Sequence, residues 1–147
     1  MTAPGSELAS YRKVEVETAS QGKLIVMLFN GAIQRAEEAR RQLERGKSEG
    51  VHNNLVRAQD IINELRVALD MKAGNIARSL DRVYEYLQHL LIRANIRKDT
   101  GPIAECVAHL TELRNTWQQA FEEVAKEQKV TPPLINQHGA AVINVQG

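Results

Sequence analysis

Two acid–histidine pairs and a single thiol are the side chains whose types and spacing could do chemistry in this sequence. Glu85 with His89, and Glu105 with His109, each stand four residues apart, which on a helix sets both members on one face. Di-metal sites in helical bundles draw a Glu-x-x-His pair from each of two helices and a further Glu from each of the other two. Here the apolar stripe Leu80, Val83, Leu87 and Leu90 leaves Glu85 on the outer face, and Glu105 sits opposite Val107 and Leu110. Both pairs are expected to be solvated side chains, with no metal between them. Cys106 lies beside an apolar stripe, the position of a small buried hydrophobe rather than a nucleophile. No glycine-rich phosphate loop is present; Gly22 and Gly31 stand alone. The cluster Glu37, Glu38, Arg40, Arg41, Glu44, Arg45 alternates in sign and reads as a solvated helix face laced with ion pairs. There is no catalytic constellation, so the sequence points to no enzyme and no cofactor.

The elements that position these residues follow from the apolar spacing. Ile25, Leu28, Ala32, Ala36, Ala39 and Leu43 recur at three- and four-residue steps, the period of one helical face. Ser20 has the side chain of an N-cap for this helix, and Gly46 with the polar residues after it ends it. Val51, Leu55, Ala58, Ile62, Leu65 and Leu69 mark a second helix that stops near Gly74. Ile76, Leu80, Val83, Leu87, Leu90 and Ala94 mark a third. Asp99 or Thr100 can cap the fourth, with Pro102 tolerated in its first turn. Its stripe is Ile103, Val107, Leu110, Leu113, Trp117, Ala120 or Phe121, and Val124. Short connections make neighbouring helices antiparallel, so the expected fold is all-α, an up-down-up-down four-helix bundle over residues 20–128. Residues 1–19, with Pro4, Gly5 and the β-prone Val14, Val16 and Thr18, are expected as an extended N-terminal arm. Pro132 and Pro133 close the last helix, leaving 129–147 as a loose tail.

Composition narrows the function class. The 147 residues are 43% hydrophobic but only 4% aromatic, a globular composition whose core must be aliphatic. A formal net charge of +1 offers no basic excess for a nucleic-acid partner. The N-terminal residues have no apolar run of a signal peptide. The longest apolar run, Leu24 to Phe29, is far short of the roughly 20 residues of a membrane span. One cysteine fits a reducing compartment, so a cytoplasmic protein without membrane insertion is expected.

An apolar surplus remains after the four stripes are drawn. Ile61 and Val67 add to the second helix, and Tyr84, Leu91 and Ile92 to the third. A helix buried on one side needs only about three apolar positions per two turns. The surplus means a wide core or an outward groove, and periodicity alone favours the wide core. Gly31, which costs about 1 kcal/mol against alanine inside a helix, reads as a close helix–helix approach.

Four segments, in order, resemble the bacterial flagellin-specific export chaperones, the flagellar secretion chaperone (FliS) family. They are VETASQGKLIVMLFNGAI (Val16 to Ile33), NNLVRAQDIINELRVALD (Asn53 to Asp70), IARSLDRVYEYLQHLLIRAN (Ile76 to Asn95) and LRNTW (Leu113 to Trp117). The resemblance covers roughly residues 11 to 124. It departs where the family often carries a Tyr-Asp pair and this chain has Phe29 and Asn30. A Pro-Glu pair common after the cap is replaced by Gln21 and Gly22.

The resemblance implies a chaperone that binds the disordered C-terminal region of flagellin, prevents premature polymerisation, and delivers it to the flagellar export apparatus. It also favours an outward groove over a plain wide core. By similarity the groove lies on the second and third helices, with Asn54, Ala58, Ile61 and Leu65 on one and Leu80, Tyr84, Leu87 and Leu91 on the other. The arm, with Tyr11, Val14 and Val16, resembles the family's mobile segment, which can lie over part of the groove; an arm that simply packs on the bundle is the equal alternative. An unoccupied apolar groove can favour self-association into a weak homodimer, though no residue specifies one. The alternative function is a bundle that sequesters another flagellar or regulatory factor.

Overall fold

The computed structural model describes the backbone of residues 4–127 and, within it, the side chains of residues 21–127 apart from residue 73. Within that range lie four α-helices and no β-sheet: α1 (Pro4–Glu44), α2 (Ser48–Val67), α3 (Asn75–Arg97) and α4 (Thr100–Glu127). A single 3-10 turn, Met71–Ala73, precedes α3. The expected all-α bundle is what forms, and its helix boundaries have identifiable causes.

Gly46, at φ +71°, ends α1. The Gly46 N–H bonds to the Leu43 carbonyl at 3.0 Å and the Lys47 N–H to the Gln42 carbonyl at 2.9 Å. This double closure satisfies two carbonyls that a helix end otherwise orphans, and its left-handed residue is best filled by glycine. The Asp70 carboxylate accepts the Lys72 N–H at 3.0 Å and opens the 3-10 turn. At the start of α4 the Asp99 carboxylate accepts the Gly101 N–H at 3.0 Å, the capping role expected there, and Pro102 is buried in the first turn.

The start of α1 differs from the expectation. The backbone of residues 4–19 is helical rather than an extended arm, and Ser20 lies inside the helix rather than capping it. Extending an existing helix costs far less than nucleating one, and Pro4 suits the first helical position. These terms outweigh the modest β preference of Val14, Val16 and Thr18. The side chains of Tyr11, Val14 and Val16, and the whole tail expected at 129–147, lie outside the described residues.

The helices close into a ring. α1 packs on α2 and α4, and α3 packs on the same two. Contacts fix the antiparallel registers. Gly31 of α1 faces Ile61 of α2, while Arg35, one turn on, reaches back to Asn54 at 3.5 Å. On the other flank Gly22 faces Phe121 of α4 and Asn30 accepts a bond from Arg114 at 3.0 Å. Between α2 and α3 the pairs are His52 with Asn95 at 2.8 Å, the Gln59 carbonyl with Gln88 at 3.3 Å, and Arg66 with Asp81 at 2.6 Å. Each step of seven along α2 is answered by seven back along α3.

The core is aliphatic and small-residue rich, as the low aromatic content requires. Ala32, Ala36, Ala39, Ala58 and Ala94 are fully buried and let the backbones approach closely. Phe29 and Tyr84 contribute rings 6.3 Å apart, and Trp117 packs against Phe121 at 5.6 Å. Five of the six core positions expected on the second helix are buried in α2, and the sixth, Leu69, is buried just past its end at Val67. On α3 the stripe is rotated from the expected one: Ala77, Tyr84 and Leu91 turn inward with Leu87, Leu90 and Ala94, while Ile76 and Val83 are exposed. The large Tyr84 ring packs against Phe29, and α2 ends at Val67, short of the level that the Arg66–Asp81 pair sets for Ile76.

Candidate partner-binding surface

The acid–histidine pairs separate into two unrelated surface arrangements. Glu85 points toward α2, where its carboxylate lies 3.5 Å from Arg66. Glu105 accepts the Tyr86 hydroxyl, and His109 Nε2 lies 3.5 Å from the same carboxylate. That bond to Glu105 is the main cause raising the Tyr86 pKa above its ordinary value. Among the described residues, no group of three or more His, Cys, Asp or Glu is placed to hold a metal ion.

Cys106 is fully buried, its Sγ 3.9 Å from the Leu87 carbonyl. Burial pushes its pKa up to about 12, so the thiol stays protonated and unreactive at neutral pH. Burial also raises the Tyr84 phenol, opposed by a hydrogen bond involving Trp117. The alternating charges of α1 pair along the surface, Arg40 with Glu37 and Arg41 with Glu38. The Gln42 amide, followed by Arg41, holds the Glu38 carboxyl below its usual range.

What the surface offers is apolar. The groove residues expected from the sequence divide by burial. Ala58, Leu65, Tyr84, Leu87 and Leu91 are core residues of the free chain, each no more than 2% exposed. Leu80 is half-buried on α3. Asn54 and Ile61 are half-buried but lie on the α1 side of α2, Asn54 bonded to Arg35 and to the Gly50 carbonyl, Ile61 against Gly31. The surplus apolar residues therefore serve both purposes: Tyr84 and Leu91 widen the core, while Val67 and Ile92 face outward.

Other outward residues escaped the sequence reading. On the α2–α3 seam, Val56 lies between the register pairs of His52 and Gln59 and is thus level with Ile92. One turn on, Ile96 is 78% exposed. Leu24 and Met27 of α1 and Met71 of the 3-10 turn are also exposed. The available signal was the off-stripe position of Ile92 and Ile96, four apart on the face opposite Leu90.

A half-buried polar cluster pins this seam. Arg66 donates to both Asp81 oxygens, at 2.6 and 3.3 Å, and to Gln88 at 3.3 Å. The bond to Asp81 is the main cause raising the Arg66 pKa. The planar guanidinium thus fixes α2 against α3 along two turns.

Among the described residues, apolar side chains face outward at helical spacing on the α2–α3 seam. A family model described as Flagellar protein FliS matches residues 5–124. The chain belongs to the FliS family. The flagellar secretion chaperone FliS of Bacillus subtilis (strain 168) is 34% identical over 118 residues, covering 80% of this chain and 88% of that protein. The FliS of Salmonella typhimurium (strain LT2) is 37% identical over 120 residues, covering 78% and 89%. That of Vibrio cholerae is 31% identical over 117 residues, covering 76% and 86%. FliS proteins are flagellar export chaperones and not enzymes. Among the described residues no helix is long and apolar enough to cross a membrane.

Proposed function

We propose that this chain is an ATP-independent cytoplasmic chaperone of flagellin. It holds the client's C-terminal segment as helical pieces on the outside of the bundle, keeps it from polymerising and hands it to the export apparatus. The observation that carries this reading, beside family membership, is the row of outward apolar residues on the α2–α3 seam: Val56, Ile92 and Ile96. An amphipathic client helix with anchors at i, i+3, i+4 and i+7 suits such a row.

The magnitudes are compatible. Covering what remains exposed of Val56, Ile92 and Ile96, at 37%, 43% and 78%, is worth about 2–5 kcal/mol in all, of the same size as the about 2–5 kcal/mol that ordering a disordered segment costs. The three together offset that cost. Binding through the half-buried Asn54, Ile61 and Leu80 would extend the contact, with Ala58, Leu65, Tyr84, Leu87 and Leu91 supporting it from beneath. In this reading residues 20–128 are the chaperone domain, flanked by 1–19 and 129–147.

Light scattering of the cognate flagellin tests the reading. Equimolar addition of this chain suppresses filament growth, and an Ile92→Asp, Ile96→Asp double variant that folds normally suppresses it less. Undiminished filament growth with the unmodified chain removes flagellin as the client and leaves sequestration of another flagellar or regulatory factor as the better account.

A further inference from the structure

The two sides of the α2–α3 seam carry opposite charge. On α2 the residues Glu49, Asn53, Val56, Asp60, Asn63 and Val67 recur at steps of four and three, and all are exposed, one stripe of a helix surface. It runs beside the contact line of His52, Gln59 and Arg66. On α3 the matching stripe is Arg78, Arg82, Glu85, His89, Ile92 and Ile96, again exposed throughout. It runs beside Asp81, Gln88 and Asn95. The Arg66–Asp81 pair brings Val67 level with the interval between Arg78 and Arg82. The His52 and Gln59 pairs bring Val56 level with Ile92. The stripes are therefore the two sides of one continuous seam.

The α2 stripe holds Glu49 and Asp60 and no cation. The α3 stripe holds Arg78 and Arg82, and its one acid, Glu85, lies 3.5 Å from Arg66 of α2. Among the described residues, Asp60, Arg78 and Arg82 enter no ion pair. Glu49 has a second use, since it stands in the first turn of α2, where an acid complements the helix dipole. Arg78 has no such use. It is the fourth residue of α3 and donates to Asn75 at 2.6 Å, at a helix end where a cation opposes the dipole.

We infer that a helix held in this seam carries acidic residues on the flank toward α3 and basic residues on the flank toward α2, and that this charge order fixes the direction in which it lies. The inference rests on the proposed holding of a client helix here and adds the client's charge pattern and polarity. The reason is geometric. With its apolar face against Val56, Ile92 and Ile96, a helix can run parallel or antiparallel to α3. Reversing it exchanges its two flanks. Apolar contacts discriminate weakly between the two directions, whereas like charges brought together on both sides disfavour one of them. Arg78 and Arg82 stand one turn apart, about 6 Å, so carboxylates four residues apart on the client meet both. Asp60 is level with Leu87, about 8 Å further along the seam than Arg82, and takes a cation of the opposite flank.

The test titrates the full chain with a peptide of the C-terminal segment of its own organism's flagellin, bearing a nitroxide at the peptide's N-terminus. The ¹³C-methyl signals of Val67 and Ile96 report the two ends of the seam, about 24 Å apart. The expected result is broadening at one end only, with an affinity that falls as salt is raised. Exchanging the charges with Asp60→Arg, Arg78→Glu and Arg82→Glu, all at exposed positions, should weaken binding about tenfold at low salt or move the broadening to the opposite end. Equal broadening of both ends in the unmodified chain overturns the inference. So do an unchanged affinity and an unchanged end after the exchange, and both results leave flagellin as the client. Absence of binding removes the client, and the inference with it.

Discussion

Gly22 of α1 faces the ring of Phe121 of α4 so closely that a Cβ at position 22 would stand 3.0 Å from both Cδ1 and Cγ. The other internal glycine of α1, Gly31, is looser: its Cβ would meet only Ile61 Cδ1, at 3.4 Å. The two glycines are alike in sequence and unlike in environment.

Their alanine variants should therefore diverge. Gly31→Ala gains about 0.5–1 kcal/mol of helix stability at ordinary van der Waals contact, and the urea midpoint should rise. Gly22→Ala makes the same local gain but drives a methyl into the Phe121 ring, an overpacking that costs about 1–3 kcal/mol. Its midpoint should fall. Equal shifts for the two would show that the α1–α4 contact yields without cost.

Core and surface substitutions on α3 should separate stability from binding. Leu87 is fully buried, and Leu87→Ala should destabilise by about 2–5 kcal/mol. Ile96→Asp, at a position 78% exposed, should alter stability by no more than about 0.5 kcal/mol while weakening client binding. Chemical denaturation alongside a binding assay checks both. A large loss of stability from Ile96→Asp would mean that this residue is not free on the surface.

Alkaline pH should destabilise the bundle through Cys106. In the unfolded chain the thiol ionises near 9.0, whereas in the fold it keeps its proton to about 12. The native state then binds a proton that the unfolded state releases. Stability present at neutral pH is lost as pH rises from about 9 toward 12, at a slope of up to about 1.4 kcal/mol per unit. Tyr84, also raised by burial, adds to the loss above pH 10. Urea midpoints from pH 8 to 10 should fall less steeply for Cys106→Ala than for the unmodified chain. Identical slopes would place the thiol in contact with solvent.

The sequence disclosed the architecture better than the surface, for physical reasons. The α2 stripe was legible because Val51, Leu55, Ala58, Ile62 and Leu65 are the apolar residues of one narrow face, whereas the helix was read past its end at Val67 because Leu69, buried beyond it, keeps the same spacing. On α3 the apolar residues nearly encircle the helix, so periodicity admits more than one stripe. Packing of Tyr84 against Phe29 selects among them. Asn54 and Ile61 could be placed on α2 but not assigned to its α1 side, because the side is set by partners 19 and more residues away. The extended arm and the Ser20 cap failed for a related reason. Local preference at Val14 to Ser20 yields to propagation of the helix that Ile25 to Ala39 anchor in the core.

The central claim is that this bundle holds the C-terminal segment of flagellin on the apolar seam between α2 and α3. Calorimetric titration of the full chain with a peptide of that segment from its own organism tests it most directly. The account predicts one-to-one binding with a large negative heat-capacity change, the mark of apolar burial. It also predicts that Ile92→Asp with Ile96→Asp weakens binding at least tenfold, a loss of about 1.4 kcal/mol, without unfolding the bundle. Absence of binding by the well-folded chain, or full affinity in that double variant, would contradict it.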